Sequence, residues 1–288
     1  MKLSEEIERL FALSVEDARR EGVPFLQEFR EGLNRGEFRA AEKTSRGWKT
    51  NVWVKRGILL AFKIGLVADR SVPRSTAPGS IPIRSREFHF FDKDTLPAKV
   101  LTTASGVRVV PGGSTIRDGA YVARNVICMP PMFINIGAYV DEGSMVDSHA
   151  LVGSCAQIGK RVHLSAAAQI GGVLEPPGAL PIIVEDEAFI GGNCGVYEVV
   201  LIEARAVLAP GVILTGGTAV YDLVRNQVYR KTAEAPLTIP SGAVLVPGSR
   251  PASGEFAAQH HVSLYAPVIV KYRDEKTDAS TMLEQALR

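Results

Sequence analysis

The sequence predicts a mainly β protein built on a parallel β-helix of hexapeptide repeats, with an N-terminal α-helical domain and a small C-terminal cap. Three observations point to this fold class: the composition, a six-residue repeat of aliphatic residues, and one proline-rich interruption of that repeat. The chain of 288 residues contains 27 glycines and 17 prolines beside 46% hydrophobic and only 7% aromatic residues. It is too apolar for a disordered chain, and its glycines lack the three-residue period of collagen. We therefore expect a folded, turn-rich protein with an aliphatic core.

The six-residue repeat occupies the middle of the chain. Its first series is Val110, Ile116, Val122, Cys128, Ile134, Val140, Val146, Val152, Ile158, Leu164 and Ile170. A second series, in a new phase, is Val184, Ile190, Val196, Ile202, Leu208, Leu214 and Val220. This period fits neither a helix of 3.6 residues per turn nor the alternation of a simple strand. It is typical of a hexapeptide β-helix, in which we expect these residues to point inward and small residues to occupy the corners.

The segment between the two series, at 171–182, contains three prolines, which cannot donate ladder hydrogen bonds. It predicts an external loop over 171–183. Two interpretations are open: a tolerated insertion, or a loop that covers a ligand or a neighbouring subunit. The length of the loop within an otherwise strict repeat favours the second.

The flanks lack the six-residue period and predict three domains: a mostly helical one over 1–105, the β-helix over 106–247, and a cap over 248–288. Two amphipathic helices are predicted in SEEIERLFALSVEDARREG and VPFLQEFREGLNRGEF, and a further helix over 52–62. A polar linker is expected at 68–87. After the repeat we expect one strand at 263–272 and a terminal helix at 280–288. Such flanks are expected because the ends of a solenoid need caps.

Charge and cysteine content exclude several classes of protein. Lysine plus arginine is 33 and aspartate plus glutamate is 31, a net charge of +2 that argues against nucleic-acid and membrane-surface partners. The N-terminus has no apolar signal core, so we expect a cytoplasmic protein. Three cysteines without CxxC spacing predict neither a disulfide framework nor a zinc ribbon. Cys128 and Cys194 fall on packing positions of the repeat, and Cys155 falls at a turn without a paired base.

A β-helix by itself does not name a function. Hexapeptide β-helices commonly trimerise, and many are acyltransferases that use an acyl-coenzyme A donor. Others bind zinc, as γ-class carbonic anhydrases do, but their HxxxxH pair is absent here, so no metal is expected. Of the five histidines, only His163 is well placed for the catalytic histidine of the usual hexapeptide acetyltransferase, and it fits a corner position equally well.

Eight segments carry a closer resemblance: RAAEK, WVKRGILLAF, FDK, RVVPGG, DGAYVARNV, NIGAYVDEGSMVDSHALVGSCAQIGKRVHLS, IGGVLEP and SLYAPVIVK. They resemble tetrahydrodipicolinate N-succinyltransferase of the bacterial lysine pathway, and the resemblance covers nearly the whole chain beyond about residue 30. It implies a left-handed β-helix and a homotrimer with active sites between subunits. It also implies succinyl transfer from its coenzyme A thioester to the amine of 2-amino-6-oxopimelate, the ring-opened acceptor. The thioester is then a co-substrate, and no permanently bound cofactor is expected.

The resemblance assigns two residues directly. Arg108 matches the substrate-binding arginine, and Asp147 matches the catalytic aspartate. A dicarboxylate acceptor suits a guanidinium, which can hold a carboxylate through two hydrogen bonds. Attack of an amine on a thioester needs a general base but no covalent enzyme intermediate, so a missing Ser-His or Cys-His pair is no objection. Gly171 and Gly172 are the expected cofactor-binding residues, in contact with coenzyme A.

The sequence departs from the family pattern near the expected site. The family segment FIGARSEVVEG reads FIGGNCGVYEVV here, so Gly195 stands where the family has its second carboxylate. Glu198 matches the other glutamate of that pattern, with Tyr197 beside it. His149 replaces the tryptophan that follows the catalytic aspartate by two. We expect Glu198 and His149 as possible accessory residues, and His149 either moves protons or only fills the place of the tryptophan.

These changes leave three functions open. The first is the succinyltransferase reaction with Asp147 as the sole carboxylate. The second is an acetyl-coenzyme A-using paralogue in a branch pathway of the tabtoxin type. The third is a trimeric binding or scaffold protein without activity. Arg108, Asp147 and the external loop favour the first two, and the sequence does not distinguish the donors.

Overall fold

The structure is a computed structural model that describes residues 2–71 and 89–274. Three helices come first: α1 over Leu3–Ala12, α2 over Val15–Asn34 and α3 over Val52–Ile64. The helix predicted over 52–62 is confirmed. The predicted break between the first two helices is misplaced, because a new helix begins at Val15. There the Ser14 hydroxyl accepts a hydrogen bond of 3.1 Å from the Asp17 amide, which caps the helix.

Short antiparallel pairs connect the helices to the β-helix. Strands Ala41–Thr44 and Gly47–Thr50 form a hairpin between α2 and α3. Strands Val67–Asp69 and Phe91–Lys93 pair across residues 72–88, which hold most of the predicted linker and lie outside the described residues. A 3-10 turn at Thr103–Ser105 then leads into the repeat.

The repeat forms a parallel β-helix with three faces, and each face pairs strands 18 residues apart where no loop intervenes. Face 1 contains Tyr121–Val122, Tyr139–Val140, Gln157–Ile158, Ile183–Val184, Val200–Ile202 and Leu237–Ile239. Face 2 contains Arg108–Val109, Ile127–Cys128, Met145–Val146, His163–Leu164, Phe189–Ile190, Val207–Leu208, Ala243–Val246 and the terminal strands named below. Face 3 contains Thr115–Ile116, Phe133–Ile134, Leu151–Val152, Gln169–Ile170, Gly195–Val196 and Ile213–Leu214. This arrangement confirms the predicted β-helix and is consistent with the left-handed sense implied by the resemblance.

The inward residues of the repeat form one continuous aliphatic core. From Ile116 onward, the predicted members of both series are buried. Val110 is the exception: the strand is Arg108–Val109, and Val109 rather than Val110 pairs with Cys128. The first corner therefore holds five residues, Val110 to Ser114, whereas each corner between Ile116 and Gln169 holds four.

The corners explain part of the glycine content. In most corners, the third residue after the inward one has a positive φ, as at Gly137 (75°) and Gly143 (70°). Glycine adopts this conformation at little cost. The next residue is small and buried, as at Ala138 and Ala150. The predicted corner role of glycine and of small residues is confirmed at these positions.

The predicted external loop is present between strands Gln169–Ile170 and Ile183–Val184. It lies against the N-terminal helices of the same chain, where Leu174 packs on their apolar core. That core also includes Ile136 and Cys155 from one corner of the β-helix. The helices, the loop and this corner therefore share one apolar cluster.

The C-terminal cap closes the β-helix with strands that turn back on it. Strands Val220–Asp222, Gln227–Tyr229 and Val268–Tyr272 extend face 2, and Ser249–Pro251 pairs with Ser263–Tyr265 around the short helix Glu255–Gln259. The single strand predicted at 263–272 is wrong, because its two halves belong to different sheets. The terminal helix predicted at 280–288 lies outside the described residues. None of the described helices is long and apolar enough to cross a membrane.

Candidate active site

Arg108 lies on face 2 of the β-helix, and Asp147 lies at the corner where this face ends. The strand that begins at Arg108 pairs with Ile127, which in turn pairs with Met145. Asp147 leaves the strand Met145–Val146 at the corner between faces 2 and 3. Neighbouring strands are about 4.8 Å apart, so the two residues are separated by about 10 Å along the axis. A small ligand can span this separation.

The backbone of Asp147 is held on both sides while its carboxylate stays available. Its amide donates to the Leu164 carbonyl at 2.9 Å, and its carbonyl accepts from the Ala150 amide at 3.1 Å. One carboxylate oxygen, Oδ1, accepts a hydrogen bond of 2.6 Å from the Ser148 amide. The other oxygen has no hydrogen-bond partner among the described residues. The half-buried carboxylate is therefore oriented and can accept a proton.

Arg108 offers its guanidinium to a ligand. The residue is exposed, and its backbone amide donates to the Val126 carbonyl at 3.0 Å, which fixes it in the strand. Within the described chain, the guanidinium makes no hydrogen bond or ion pair. It can therefore hold a carboxylate without giving up an internal partner.

His149 shares the corner with Asp147. It has a positive φ of 61°, its amide donates to the Pro131 carbonyl at 2.6 Å, and its carbonyl accepts from Nε2 of Gln169 at 3.1 Å. The side chain is exposed. The corner backbone thus presents an imidazole to solvent two residues after the carboxylate.

Glu198 and Gly195 lie elsewhere on the same chain. Gly195 pairs with Gln169, which pairs with Leu151, so it stands two coils beyond Asp147 on face 3. Glu198 is exposed at the next corner, between faces 3 and 1. A single chain therefore does not bring Glu198 to Asp147.

The ring of Tyr197 covers Gly195. A Cβ atom built on Gly195 would lie 2.5 Å from Cε2 and 3.0 Å from Cζ of Tyr197. The ring thus occupies the space in which a side chain at position 195 would begin. In the sequence analysis, Tyr197 was noted only as a neighbour of Glu198. One feature of the sequence did point to its contact with Gly195: an aromatic residue stands two positions after the glycine, where the family pattern has valine.

Gly171 and Gly172 lie where neighbouring coils of the β-helix approach each other closely. A Cβ on Gly171 would be 2.9 Å from Cδ1 of Tyr197, and one on Gly172 would be 2.7 Å from the Ser154 amide nitrogen. Packing between coils accounts for both glycines. Their contact with coenzyme A stays a prediction.

The cysteines and His163 are the remaining candidates, and His163 pairs with Met145 on face 2, one coil beyond the strand that precedes Asp147. All three cysteines are buried, and burial raises the pKa of Cys128 and Cys155 to about 12 and that of Cys194 to about 11. His163 lies in a strand and stacks on Phe189 at 4.9 Å, so the corner interpretation was wrong. The described residues contain no group of three or more metal-ligating side chains placed to hold an ion.

Comparison with known proteins gives the same family throughout. A family model described as the N-terminal domain of tetrahydrodipicolinate N-succinyltransferase matches residues 2–64. Proteins named 2,3,4,5-tetrahydropyridine-2,6-dicarboxylate N-succinyltransferase match over most of the chain. The one from Acinetobacter baylyi is 42% identical over 91% of this chain and 88% of its own length. The relative from Idiomarina loihiensis is 40% identical over 99% of this chain and 94% of its own length. The relative from Legionella pneumophila is 41% identical over 96% of this chain and 92% of its own length.

A solved structure from Campylobacter jejuni overlaps only in part, with a TM-score of 0.39 and 17% identity over 63% of this chain and 47% of that one. The fold assignment therefore rests on the strand register. Identity of about 40% over nearly the full length of the curated relatives establishes the family. The chain belongs to the 2,3,4,5-tetrahydropyridine-2,6-dicarboxylate N-succinyltransferase family.

Proposed function

We propose that this protein transfers a succinyl group from succinyl-coenzyme A to the amino group of 2-amino-6-oxopimelate, the ring-opened form of tetrahydrodipicolinate, in lysine biosynthesis. The observation that carries the proposal is the placement of Arg108 on face 2 and of Asp147 at the corner that ends this face, each with side-chain atoms free of partners in the described chain. The proposed location is the cytoplasm. The relatives' names supply the reaction class, and the two side chains supply a chemistry for it.

In the proposed reaction the amine attacks the thioester carbonyl directly. The C–N bond forms, the C–S bond breaks, and coenzyme A leaves as a thiolate. Asp147 takes the proton that the nitrogen loses and can return it to the departing sulfur. Arg108 holds a carboxylate of the acceptor, so that the amine is positioned rather than free to diffuse.

His149 and Glu198 are the proposed accessory residues. His149 is exposed in the same corner as Asp147, so its imidazole can share proton transfer or simply line the site. Glu198 is exposed at a different corner, two coils away. It takes part only if another copy of the chain brings that corner to Asp147.

A homotrimer with active sites between subunits is therefore part of the proposal. The separation of Asp147 from Gly195 supports it, because position 195 holds the second active-site carboxylate of the family pattern and lies two coils from Asp147 within one chain. The coenzyme A thioester is a co-substrate in this scheme, with Gly171 and Gly172 as the proposed contacts. No permanently bound cofactor and no metal is proposed.

A thiol-release assay tests the reaction. Purified protein is mixed with tetrahydrodipicolinate and either succinyl- or acetyl-coenzyme A, and free thiol is measured over time. The proposal predicts release that depends on the acceptor and is faster with the succinyl donor. Faster release with the acetyl donor would favour the branch-pathway acetyltransferase, and no release with either would favour a scaffold.

A further inference from the structure

We propose that Ser165 is a further catalytic residue of this site, because its hydroxyl stands one coil beyond Asp147 and donates a hydrogen bond to the thioester oxygen when the amine attacks. This inference rests on the proposed function and deepens it. It gives the negative charge that develops on the thioester oxygen a hydrogen-bond donor, which the general base cannot supply.

Asp147 and Ser165 occupy equivalent positions in successive coils of the β-helix. Each is the first residue of a corner, and the strands that precede them, Met145–Val146 and His163–Leu164, pair in register. Neighbouring strands lie about 4.8 Å apart, so the two residues follow each other along the axis at about that spacing. A ligand that contacts one side chain is therefore within reach of the other.

The backbone of Ser165 is held in the same way as that of Asp147. Its amide donates to the Ile190 carbonyl at 2.9 Å, and its carbonyl accepts from the Ala168 amide at 3.0 Å. The hydroxyl needs only to rotate about its side chain to meet a ligand. Such a donor is already in place before charge develops, which is what stabilisation of an oxyanion requires.

The hydroxyl of Ser165 is available to a ligand. Nothing in the described part of the chain forms a hydrogen bond with it, and the residue is half-buried. It therefore stands beside the carboxylate of Asp147, which also has one oxygen without a partner there. A serine with a structural role looks different: the Ser144 hydroxyl donates to the Gly159 carbonyl at 2.7 Å and accepts from the Val162 amide at 3.0 Å.

The order of the polar groups along the axis matches the order of the reacting groups. Arg108 lies two coils before Asp147, and Ser165 lies one coil after it. In the proposed reaction Arg108 holds a carboxylate of the acceptor, and the amine meets Asp147. The carbonyl that the amine attacks then lies on the side of Ser165.

The same corner stays uncrowded beyond Ser165. Strands Phe189–Ile190 and Val207–Leu208 continue the ladder, and they are followed by Gly191 and Ala209. Neither residue carries a side chain longer than a methyl group. A thioester that arrives from this end reaches the Ser165 hydroxyl without passing a long side chain at these two positions.

The proposed hydrogen bond acts in the transition state. As the C–N bond forms, the π electrons of the carbonyl move to its oxygen, and the Ser165 hydroxyl donates to this oxyanion. When the C=O bond forms again, the C–S bond breaks and the thiolate leaves, while Asp147 takes the proton from nitrogen. Ser165 keeps its own proton, so no acyl-serine forms. A contact made only in the transition state raises kcat and leaves KM unchanged.

The test compares Ser165→Ala with the wild type in thiol release from succinyl-coenzyme A with tetrahydrodipicolinate. We expect kcat to fall about 10²-fold, the effect of removing one oxyanion donor, with little change in KM for either substrate. The pH dependence of kcat/KM should keep its wild-type midpoint, because Asp147 remains the base. Ser144→Ala is the matched control, and it should lower the thermal unfolding midpoint while kcat stays near wild type.

Three results would overturn the assignment. The first is a kcat of Ser165→Ala within a few-fold of wild type. The second is an equal fall of kcat in Ser144→Ala, which would show a general effect on packing. The third is a shifted pH midpoint in Ser165→Ala, which would show that the hydroxyl acts on Asp147 and not on the oxyanion.

Failure of the proposed function gives a different result, in which the wild type transfers no acyl group to tetrahydrodipicolinate. The same oxyanion forms when water attacks the thioester, so hydrolysis of succinyl-coenzyme A without acceptor is then compared between wild type and Ser165→Ala. Enzyme-dependent hydrolysis that falls about 10²-fold in the variant supports the role of Ser165 alone. Equal hydrolysis by both proteins, or none above that in buffer, refutes it.

Discussion

The buried ammonium of Lys55 donates a hydrogen bond of 2.8 Å to the Ala179 carbonyl, which ties helix α3 to the external loop. A second, longer contact of 3.4 Å reaches the Pro176 carbonyl. Burial lowers the pKa of Lys55 because the charged form loses its hydration. The Lys55 ammonium thus anchors the loop. Its burial costs desolvation free energy, and its hydrogen bonds to the loop must offset that cost.

Lys55→Met should loosen the loop. The substitution removes the short hydrogen bond to the Ala179 carbonyl, which keeps only a 3.4 Å contact from the Thr50 hydroxyl, and we expect a loss of about 1–3 kcal/mol in unfolding free energy. Hydrogen exchange at the Ala179 amide, which donates to the Pro176 carbonyl, should accelerate. Lys63→Met is the matched control: Lys63 lies on the same helix but donates to Phe11 and Leu13. If exchange in the loop rises equally in both variants, the anchor is not Lys55.

Gly195→Ala should destabilise the protein more while Tyr197 is present than after its replacement. The new methyl group would collide with the ring at 2.5 Å, at a cost of about 1–3 kcal/mol. In a Tyr197→Val background the same change should cost less by about 1 kcal/mol or more. Gly178→Ala, where a Cβ meets nothing within 4 Å, is the control for thermal unfolding. Additive effects would show that the two residues do not compete for space.

The three cysteines should resist alkylation in the native protein. Burial raises their pKa values to about 12 for Cys128 and Cys155 and about 11 for Cys194, so thiolate is scarce at pH 8. Treatment with iodoacetamide followed by mass spectrometry should find no adduct before unfolding and three after it. Labelling should increase only as the pH approaches the raised pKa values. Rapid labelling of one cysteine in the native protein at pH 8 would contradict this prediction and indicate that this thiol is reactive.

Asp94 should contribute stability that is lost in acid. Hydrogen bonding to Arg19, 2.6 Å from its carboxylate, lowers the pKa of Asp94 below its ordinary value. A lowered carboxyl pKa gives stability that is present above about pH 4 and disappears as the pH falls through the native pKa. Asp94→Asn should therefore cost about 0.5–1 kcal/mol at pH 7 and progressively less below pH 4 in urea titrations. Glu28→Gln, at a carboxylate without an ion pair in the described chain, should show no such difference.

The fold could be predicted from the sequence wherever the six-residue period holds. The prediction failed where one local feature, such as a capping hydroxyl or an extra corner residue, sets the start of an element. Inward positions such as Val140 and Val146 follow the six-residue period, because every coil stacks the same position on the next. Val110 broke the rule, since the first corner holds one extra residue. The start of α2 depended on one capping hydroxyl, at Ser14, which a pattern of apolar residues does not reveal.

At the candidate site, only the residues that match the family motifs could be predicted from the sequence. Arg108 and Asp147 follow from the resemblance, and the strand register places Arg108 on face 2 and Asp147 at the corner that ends it, two coils further along. The position of the Tyr197 ring could not be predicted, because the sequence does not say that this ring folds back over Gly195. A contact between Glu198 and Asp147 could not be tested within one chain, since their two corners lie two coils apart.

The central claim is that Asp147 is the general base of an N-succinyltransferase. The most direct measurement is thiol release from succinyl-coenzyme A with tetrahydrodipicolinate, comparing the wild type with Asp147→Asn and Asp141→Asn. Asp141 is the matched control, because its Oδ1 likewise accepts from the next amide, at 2.8 Å, but at another corner. We predict that Asp147→Asn lowers kcat by about 10²–10⁴-fold without unfolding the protein, while Asp141→Asn stays near wild type. Asp147→Asn activity within a few-fold of wild type would contradict the account.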